Sequence, residues 1–176
     1  TLTVTPAAGA EDGAIALDIT AALGDVDGSE SLAITIGGVP AGAVLSAGTD
    51  LGGGTWSLTP AQLTGLTIIP PADSDAEFSL TVTATTTETN GGDTATVTAQ
   101  IPVTVTADAD APSLAVAPAS GTEDSAIALN INAALGDVDG SESLVITIGG
   151  VPAGAVLSAG TDLGGGTWSL TPAQLT

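Results

Sequence analysis

The chain has 176 residues, 20 of them Asp or Glu, and it has no Lys, Arg, His, Cys, Met or Tyr, so its formal charge is −20. Ion pairs can form only through the terminal amine, so a clustered or buried carboxylate must meet water, a backbone N–H or a metal cation. Thiolate and imidazole chemistry is excluded, and with it zinc, haem and iron–sulfur sites of the usual kinds. The acidic balance also argues against nucleic acid and anionic lipid, which need basic surfaces.

Leu2 and Val4 alternate with Thr and predict a short first strand. Residues 7–13 read as a loop. Ile15, Leu17 and Ile19 predict a second strand, and residues 24–30 (Gly-Asp-Val-Asp-Gly-Ser-Glu) an acidic loop. Leu32, Ile34 and Ile36 predict a third strand, ended by Gly37, Gly38 and Pro40. Val44 and Leu45 make a short strand, Gly52, Gly53 and Gly54 a turn, and Trp56 and Leu58 the start of another strand. Thr59 followed by Pro60 is a helix-start signature for a single turn.

Leu66, Ile68 and Ile69 predict a strand stopped by Pro70 and Pro71, and Phe78, Leu80, Val82 and Ala84 a longer one. Residues 90–93 (Asn-Gly-Gly-Asp) signal a hairpin. Ala95, Val97, Ala99, Ile101, Val103 and Val105 make the last strand, with Pro102 implying an edge or a bulge. Short strands with turn signals between them predict an all-β chain of immunoglobulin-like Greek-key β-sandwiches. Thr on the outward positions suits a solvated sheet face. Aromatic residues are only 2% of the chain. The expected core is therefore thin and aliphatic, built around one Trp per domain and helped by ions or neighbouring domains.

The sequence repeats itself. Residues 1–64 align without a gap to residues 113–176, at an offset of 112, with 55 identities and nine differences. A repeat of this length means an array of whole domains. The expected organisation is a complete repeat at 1–107, an acidic linker at 108–112 and a partial second copy at 113–176 lacking three strands. With no initiator Met, signal peptide or apolar span of ~18 residues, the chain is expected to be a piece of a larger protein. Either that protein continues, or another molecule supplies the last strands.

On a Greek-key sandwich, Glu11, Asp12, Asp73 and Asp75 fall at one end, from which the linker with Asp108 and Asp110 leaves. Asp25, Asp27 and Glu30 fall at the other end, and in the second copy their counterparts Asp137, Asp139 and Glu142 face the linker. Seven carboxylates, from Glu11, Asp73, Asp75, Asp108, Asp110, Asp137 and Asp139, are thus candidate ligands for calcium, a hard cation that takes about 6–8 oxygens. Each element also has a plain reading. Asp and Gly favour turns regardless of metal. The Asp25 loop is not an EF-hand, because Gly28 comes too early. Gly52, Gly53 and Gly54 are not a phosphate loop, since no Lys follows. Trp56 and Trp168 read as core or as platforms for a sugar.

The loop with Glu11 and Asp12, the pair Asp73 and Asp75, the linker Asp108-Ala109-Asp110-Ala111-Pro112 and the pair Asp137 and Asp139 follow the order of cadherin calcium motifs. The whole chain resembles the cadherin-like or immunoglobulin-like tandem repeats of large bacterial RTX adhesins exported by type I secretion. Residues 41–85 carry much of that resemblance. Ala109 and Ala111 depart from the Asn or Asp of the metazoan linker motif, and the RTX nonapeptide is absent. The resemblance implies a calcium-stiffened extender repeat at the cell surface or outside the cell, serving adhesion and biofilm formation. Its partners would be neighbouring identical repeats, without nucleic acid or membrane insertion. The alternatives are a subunit of a self-assembling extracellular filament or surface layer, and a carbohydrate-binding module. Carboxylate-pair catalysis is possible in principle, but the chain is not expected to be an enzyme, since no loop pairs carboxylates with a nucleophile or a substrate-stacking cleft.

With neither Lys nor Arg in the chain, trypsin is expected to leave the protein whole, folded or unfolded. A tryptic digest in urea resolved by mass spectrometry checks this, and any internal fragment contradicts it.

Overall fold

Alternation of aliphatic residues with Thr and Ser makes the chain all-β. The computed structural model describes residues 1–25 and 27–175. By contact density it divides into two units, Thr1–Asp108 and Ala109–Thr176. The first unit contains β1 (Leu2–Val4), β2 (Ala7–Ala10), β3 (Ile15–Ala16), β4 (Ile19–Ala21), β5 (Glu30–Gly37), β6 (Val44–Leu45), β7 (Thr49–Gly52) and β8 (Thr55–Leu58). A 3-10 turn (Pro60–Leu63), β9 (Thr67–Ile69), β10 (Phe78–Glu88) and β11 (Thr94–Thr106) complete it.

Six of these strands form one sheet in the order β2-β11-β10-β5-β8-β7. The three-stranded sheet β3-β9-β6 and the pair β1-β4 contribute to the same buried cluster as this sheet. Ile34, Ile36, Ile68, Leu80, Val82 and Ile101 are fully buried there. Leu2, Val4, Trp56 and Phe78 are partly buried and pack against that cluster. Trp56 is therefore a half-buried wall of the core, as is Phe78, while the fully buried side chains are aliphatic.

Several local readings need correction. Residues 7–10, read as loop, form β2, which runs parallel to Val103–Thr106 of β11. Its side chains are too small to signal a strand, and its pairing is made by backbone. Gly9 is required there, because a Cβ at that position would lie 2.8 Å from Ile15 Cγ1. The strand expected at 15–19 is interrupted at Leu17 and Asp18. Its first part pairs with β9 and its second with β1. Thr49–Gly52, for which no strand was expected, pairs with β8. All four of its residues are exposed, so no apolar alternation announces it. Ala95 and Val97 of the last strand are exposed, and burial along β11 is complete only from Ile101.

Other expectations match the coordinates in detail. The hairpin loop follows Glu88, whose N–H donates to Asp93 O at 2.9 Å. Pro102 pairs in register with Ser79 of β10. It sits just before β2 joins the far side of β11 at Val103, where that side is still an edge, a place a strand tolerates proline. The Thr59 N–H donates to Gln62 Oε1 at 2.8 Å, tying the start of the 3-10 turn. Gly54 has φ +72°, and a Cβ there would lie 2.5 Å from Val39 O, so the turn after β7 accepts only glycine.

The second unit contains β12 (Ser113–Ala117), β13 (Asn130–Ala134), β14 (Ile146–Ile148), β15 (Thr161–Gly164) and β16 (Thr167–Leu170), followed by a 3-10 turn (Pro172–Gln174). Pair β12-β13 repeats β1-β4, and the sheet β14-β16-β15 repeats β5-β8-β7. Counterparts of β3 and β6 do not form strands. Their partner in the first unit is β9, and residues 113–176 contain no equivalent of it. Among the described residues of this unit, the buried apolar side chains are Ile146 and Leu170. Leu114, Val116, Ile127, Leu129 and Val156 are exposed.

Leu80→Ala is expected to destabilise the first unit by about 2–5 kcal/mol, the range for a buried Leu truncated with incomplete collapse. Leu51→Ala, on the exposed β7, is expected to change stability by less than about 0.5 kcal/mol. Urea unfolding followed by circular dichroism measures both, and equal effects would contradict the assignment of the core.

Candidate metal centre

The register of the first unit separates its acidic residues into two ends. Phe78 pairs with Val103, and Val103–Thr106 lie beside Ala7–Ala10. Glu11, the approach to β10 with Asp73 and Asp75, and the exit from β11 with Asp108 therefore share one end. Glu88 pairs with Glu30 at the other, where Asp25 and Asp27 also lie. With β10 eleven residues long, the ends stand roughly 35 Å apart at about 3.4 Å per residue.

At the first end, the turn after β2 is held by Glu11 N–H donating to Thr106 O at 3.0 Å. That bond turns the Glu11 side chain under the strand exit, where it is buried. Its Oε1 accepts the Asp108 N–H at 2.7 Å. Asp12 and Asp73 both occupy left-handed backbone, with φ +56° and +52°, a conformation Asp tolerates better than most residues. The Asp73 N–H donates to Asp12 Oδ1 at 3.1 Å, and a carboxylate oxygen of each lies within 4.8 Å of the other. Asp75 is exposed, two residues beyond Asp73.

At the other end, Asp27 N–H donates to Asp25 Oδ1 at 3.1 Å and Ser29 N–H to Asp27 Oδ1 at 2.8 Å. These are successive Asx turns, which Asp and Gly form without help. The Ser29 hydroxyl, and then its N–H, hold the Asp27 carboxyl below the ordinary value of 3.8.

The second unit repeats the loop. Asp139 N–H donates to Asp137 Oδ1 at 2.8 Å, and Ser141 N–H to Asp139 Oδ1 at 2.7 Å. Carboxylate oxygens of Asp137 and Asp139 lie within 4.8 Å of each other. Asp110 N–H donates to Glu142 Oε1 at 2.7 Å. A Cβ on Gly136 would lie 3.2 Å from Asp110 Cβ and 3.4 Å from Ala111 O, so the linker packs on this loop. Asp137 is buried, whereas its counterpart Asp25 is exposed. Glu142 Oε2 is buried and accepts no hydrogen bond among the described residues.

Of the seven candidate ligands, Glu11 and Asp108 are thus joined in the first unit and Asp137 and Asp139 in the second. Asp73 is paired with Asp12, and Asp110 with Glu142. Neither Asp12 nor Glu142 was among the seven. Asp12 sits beside Glu11 in a loop rich in small residues, the one available signal. Glu142 closes the repeated acidic loop, but its link to Asp110 spans 32 residues, and no local spacing encodes it.

Chemically, each unit offers carboxylate oxygens already gathered by backbone amides, a donor set suited to hard cations. No protein family, no curated protein and no solved structure matches the chain.

The depressed Asp27 value gives a pH prediction. A carboxyl lowered in the folded state contributes stability above its unfolded value of 3.8, and that contribution is lost as pH falls through the folded value. Carbon-13 NMR titration is expected to place the Asp27 midpoint below the ordinary one, and Ser29→Ala is expected to move it upward. A midpoint at or above 3.8 in the parent protein contradicts this.

Proposed function

We propose that this chain is a structural extender repeat of a large secreted or cell-surface bacterial adhesin, stiffened by calcium at its linker. On this reading its units are immunoglobulin-like, cadherin-like Greek-key sandwiches. The strand order β2-β11-β10-β5-β8-β7, in which β10 joins β5 across a long stretch of intervening sequence, supports that class. So does the resemblance of the acidic segments to cadherin calcium motifs.

The observation that carries the proposal is how the linker acids are held. Asp108 is bonded through its N–H to Glu11 of the first unit, and Asp110 through its N–H to Glu142 of the second. These two linker residues are separated only by Ala109. The buried Glu142 Oε2 accepts no hydrogen bond among the described residues. A cation satisfies such oxygens where no Lys or Arg exists to do so. Asp108, Asp110, Glu11, Asp73 and Asp75, with Asp137 and Asp139, would hold it, and Asp12 and Glu142 join that set. Calcium, when bound, supplies charge neutralisation and a fixed oxygen geometry. The protein supplies preset amide-to-carboxylate contacts that limit the motion of the linker.

Calcium at a hundred times its dissociation constant is expected to stabilise the protein by about 2.7 kcal/mol, seen as a raised melting temperature. Small-angle scattering is expected to give a larger maximum dimension in calcium than in chelator. Asp110→Ala is expected to remove most of that difference while leaving the first unit's melting unchanged. Superimposable scattering curves in calcium and chelator would sink the proposal.

A further inference from the structure

The two sides of the six-stranded sheet in the first unit are finished differently. On one side the edge strand is β7, which is four residues long, carries Asp50 and is broken by a bulge between Asp50 and Gly52. Short length, charge and a bulge are means by which an edge is kept from pairing with another chain. On the other side β2 covers β11 only from Val103 to Thr106. Over residues 94–100, among the described residues, β11 has β10 on one flank and no strand on the other. That stretch, Thr-Ala-Thr-Val-Thr-Ala-Gln, holds no charge, no proline and no glycine. Its register with β10 runs without a shift, and all its residues but Ala99 are exposed. None of the devices that blunt β7 is present.

The direction of the backbone groups follows from the hairpin. Glu88 N–H donates to Asp93 O at 2.9 Å. In an antiparallel ladder Ala95, Val97 and Ala99 then turn their N–H and C=O toward β10, and Thr94, Thr96, Thr98 and Gln100 turn theirs outward. The same phase holds farther along the strand, where Thr106 O accepts the Glu11 N–H from the β2 side. The segment is also palindromic about Val97. Paired antiparallel with itself, it puts Val97 on Val97, Thr96 on Thr98, Ala95 on Ala99 and Thr94 on Gln100. In that register each outward residue meets an outward residue, so the ladder closes, and Thr meets Thr, a favourable cross-strand pair.

We infer that residues 94–100 are a self-docking edge: a second copy of this chain adds its own β11 antiparallel, with the two-fold axis at Val97, and joins two six-stranded sheets into one. Packing favours it. Ala84, opposite Val97 on β10, is 4% exposed, whereas Val97 is 46% exposed, and an added strand covers that open flank. Local charge permits it. The nearest acid in sequence is Asp93. The register sets each Asp93 opposite Ile101 of the other copy, so the two Asp93 lie roughly 27 Å apart at about 3.4 Å per residue, well beyond the ~8 Å screening length at physiological salt. The formal charge of −20 on each copy still opposes association at low salt, so the dimer tightens as salt is added.

The test uses the full 176-residue chain in chelator. Sedimentation is expected to give a reversible monomer–dimer equilibrium that added salt shifts toward dimer. Hydrogen exchange is expected to slow at the Thr96 and Thr98 amides as concentration rises, with the β7 amides unchanged. Because the chain has no cysteine, single replacements map the register. Val97→Cys is expected to form disulfide-linked dimers at least about tenfold faster than Leu51→Cys on β7, since a non-hydrogen-bonded antiparallel pair brings Cα atoms to about 4.5 Å. Ala95→Cys is expected to link to Ala99→Cys and not to itself. Thr98→Pro is expected to abolish the dimer and leave the first unit's melting temperature unchanged, because the Thr98 N–H points away from β10, as the ring nitrogen of Pro102 already does. The inference is overturned if sedimentation finds only monomer and Val97→Cys links no faster than Leu51→Cys. It is also overturned if Ala95→Cys links to itself as fast as Val97→Cys, which means parallel strands, or if the Thr98→Pro chain still dimerises, which places the contact elsewhere. Calcium is absent throughout, so the inference stands or falls separately from the proposed function.

Discussion

A chain with many carboxylates and no cationic side chain has to hold its acids without side-chain ion pairs, and backbone amides do much of that. That constraint shapes the acidic loops described above. Asp25, Asp27, Asp50, Asp137, Asp139 and Asp162 each accept an N–H from two residues ahead, forming local turns. Glu11, Asp12 and Glu142 accept amides from distant segments and so join one part of a unit to another. An amide donor orients a carboxylate but carries no net charge. Charge therefore accumulates at the unit ends, and the structure is arranged to tolerate it there and nowhere in the core. The first unit's buried core is aliphatic, and among its described residues the one buried acid, Glu11, lies at the strand exit.

The repeat compares the same residues under two conditions. In the first unit they are covered by β9, β10 and β11, and the core closes. In the second, residues 113–176 build the strand pair and the three-stranded sheet without those strands, and their apolar face stays open. Local sequence is thus enough for β12 to β16, while β3 and β6 depend on a partner strand. The nine differences fit this picture. Eight of the first-copy positions involved are exposed, and the ninth, Gly13, is half-buried. Drift has been confined to positions that face water, where substitution costs little.

Much of the fold was legible because punctuation and period agree. Pro70 and Pro71, the Gly-rich hairpin and the 3-10 start at Thr59 bound strands whose aliphatic residues alternate. What was not legible lacked a side-chain signal. β2 is Ala and Gly and is fixed by backbone pairing with β11, and β7 is exposed along its whole length. The break at Leu17 and Asp18 arises because neighbouring residues must serve two different partner strands. At the candidate metal centre, residue type and loop position were readable, so Glu11, Asp108 and Asp137 stood out. The pairings Glu11 with Asp108 and Asp110 with Glu142 were not, since they link residues far apart in sequence.

The near-identity of the copies raises the question of which copy the strands at 66–106 belong to. They could close over residues 113–176 as a circular permutant of the same sandwich. The parallel pairing of β2 with β11 opposes this. It puts Thr106 level with Ala10, so in a permuted domain Thr106 would stand level with Thr122, roughly 30 Å along the strand path from Ser113 at about 3.3 Å per residue. The segment from Thr106 to Ser113 reaches only about 25 Å when fully extended, at ~3.6 Å per residue. A short linker thus acts as a proofreading device: closing over the wrong copy would leave it at or near full extension, which disfavours strand exchange between two nearly identical sequences.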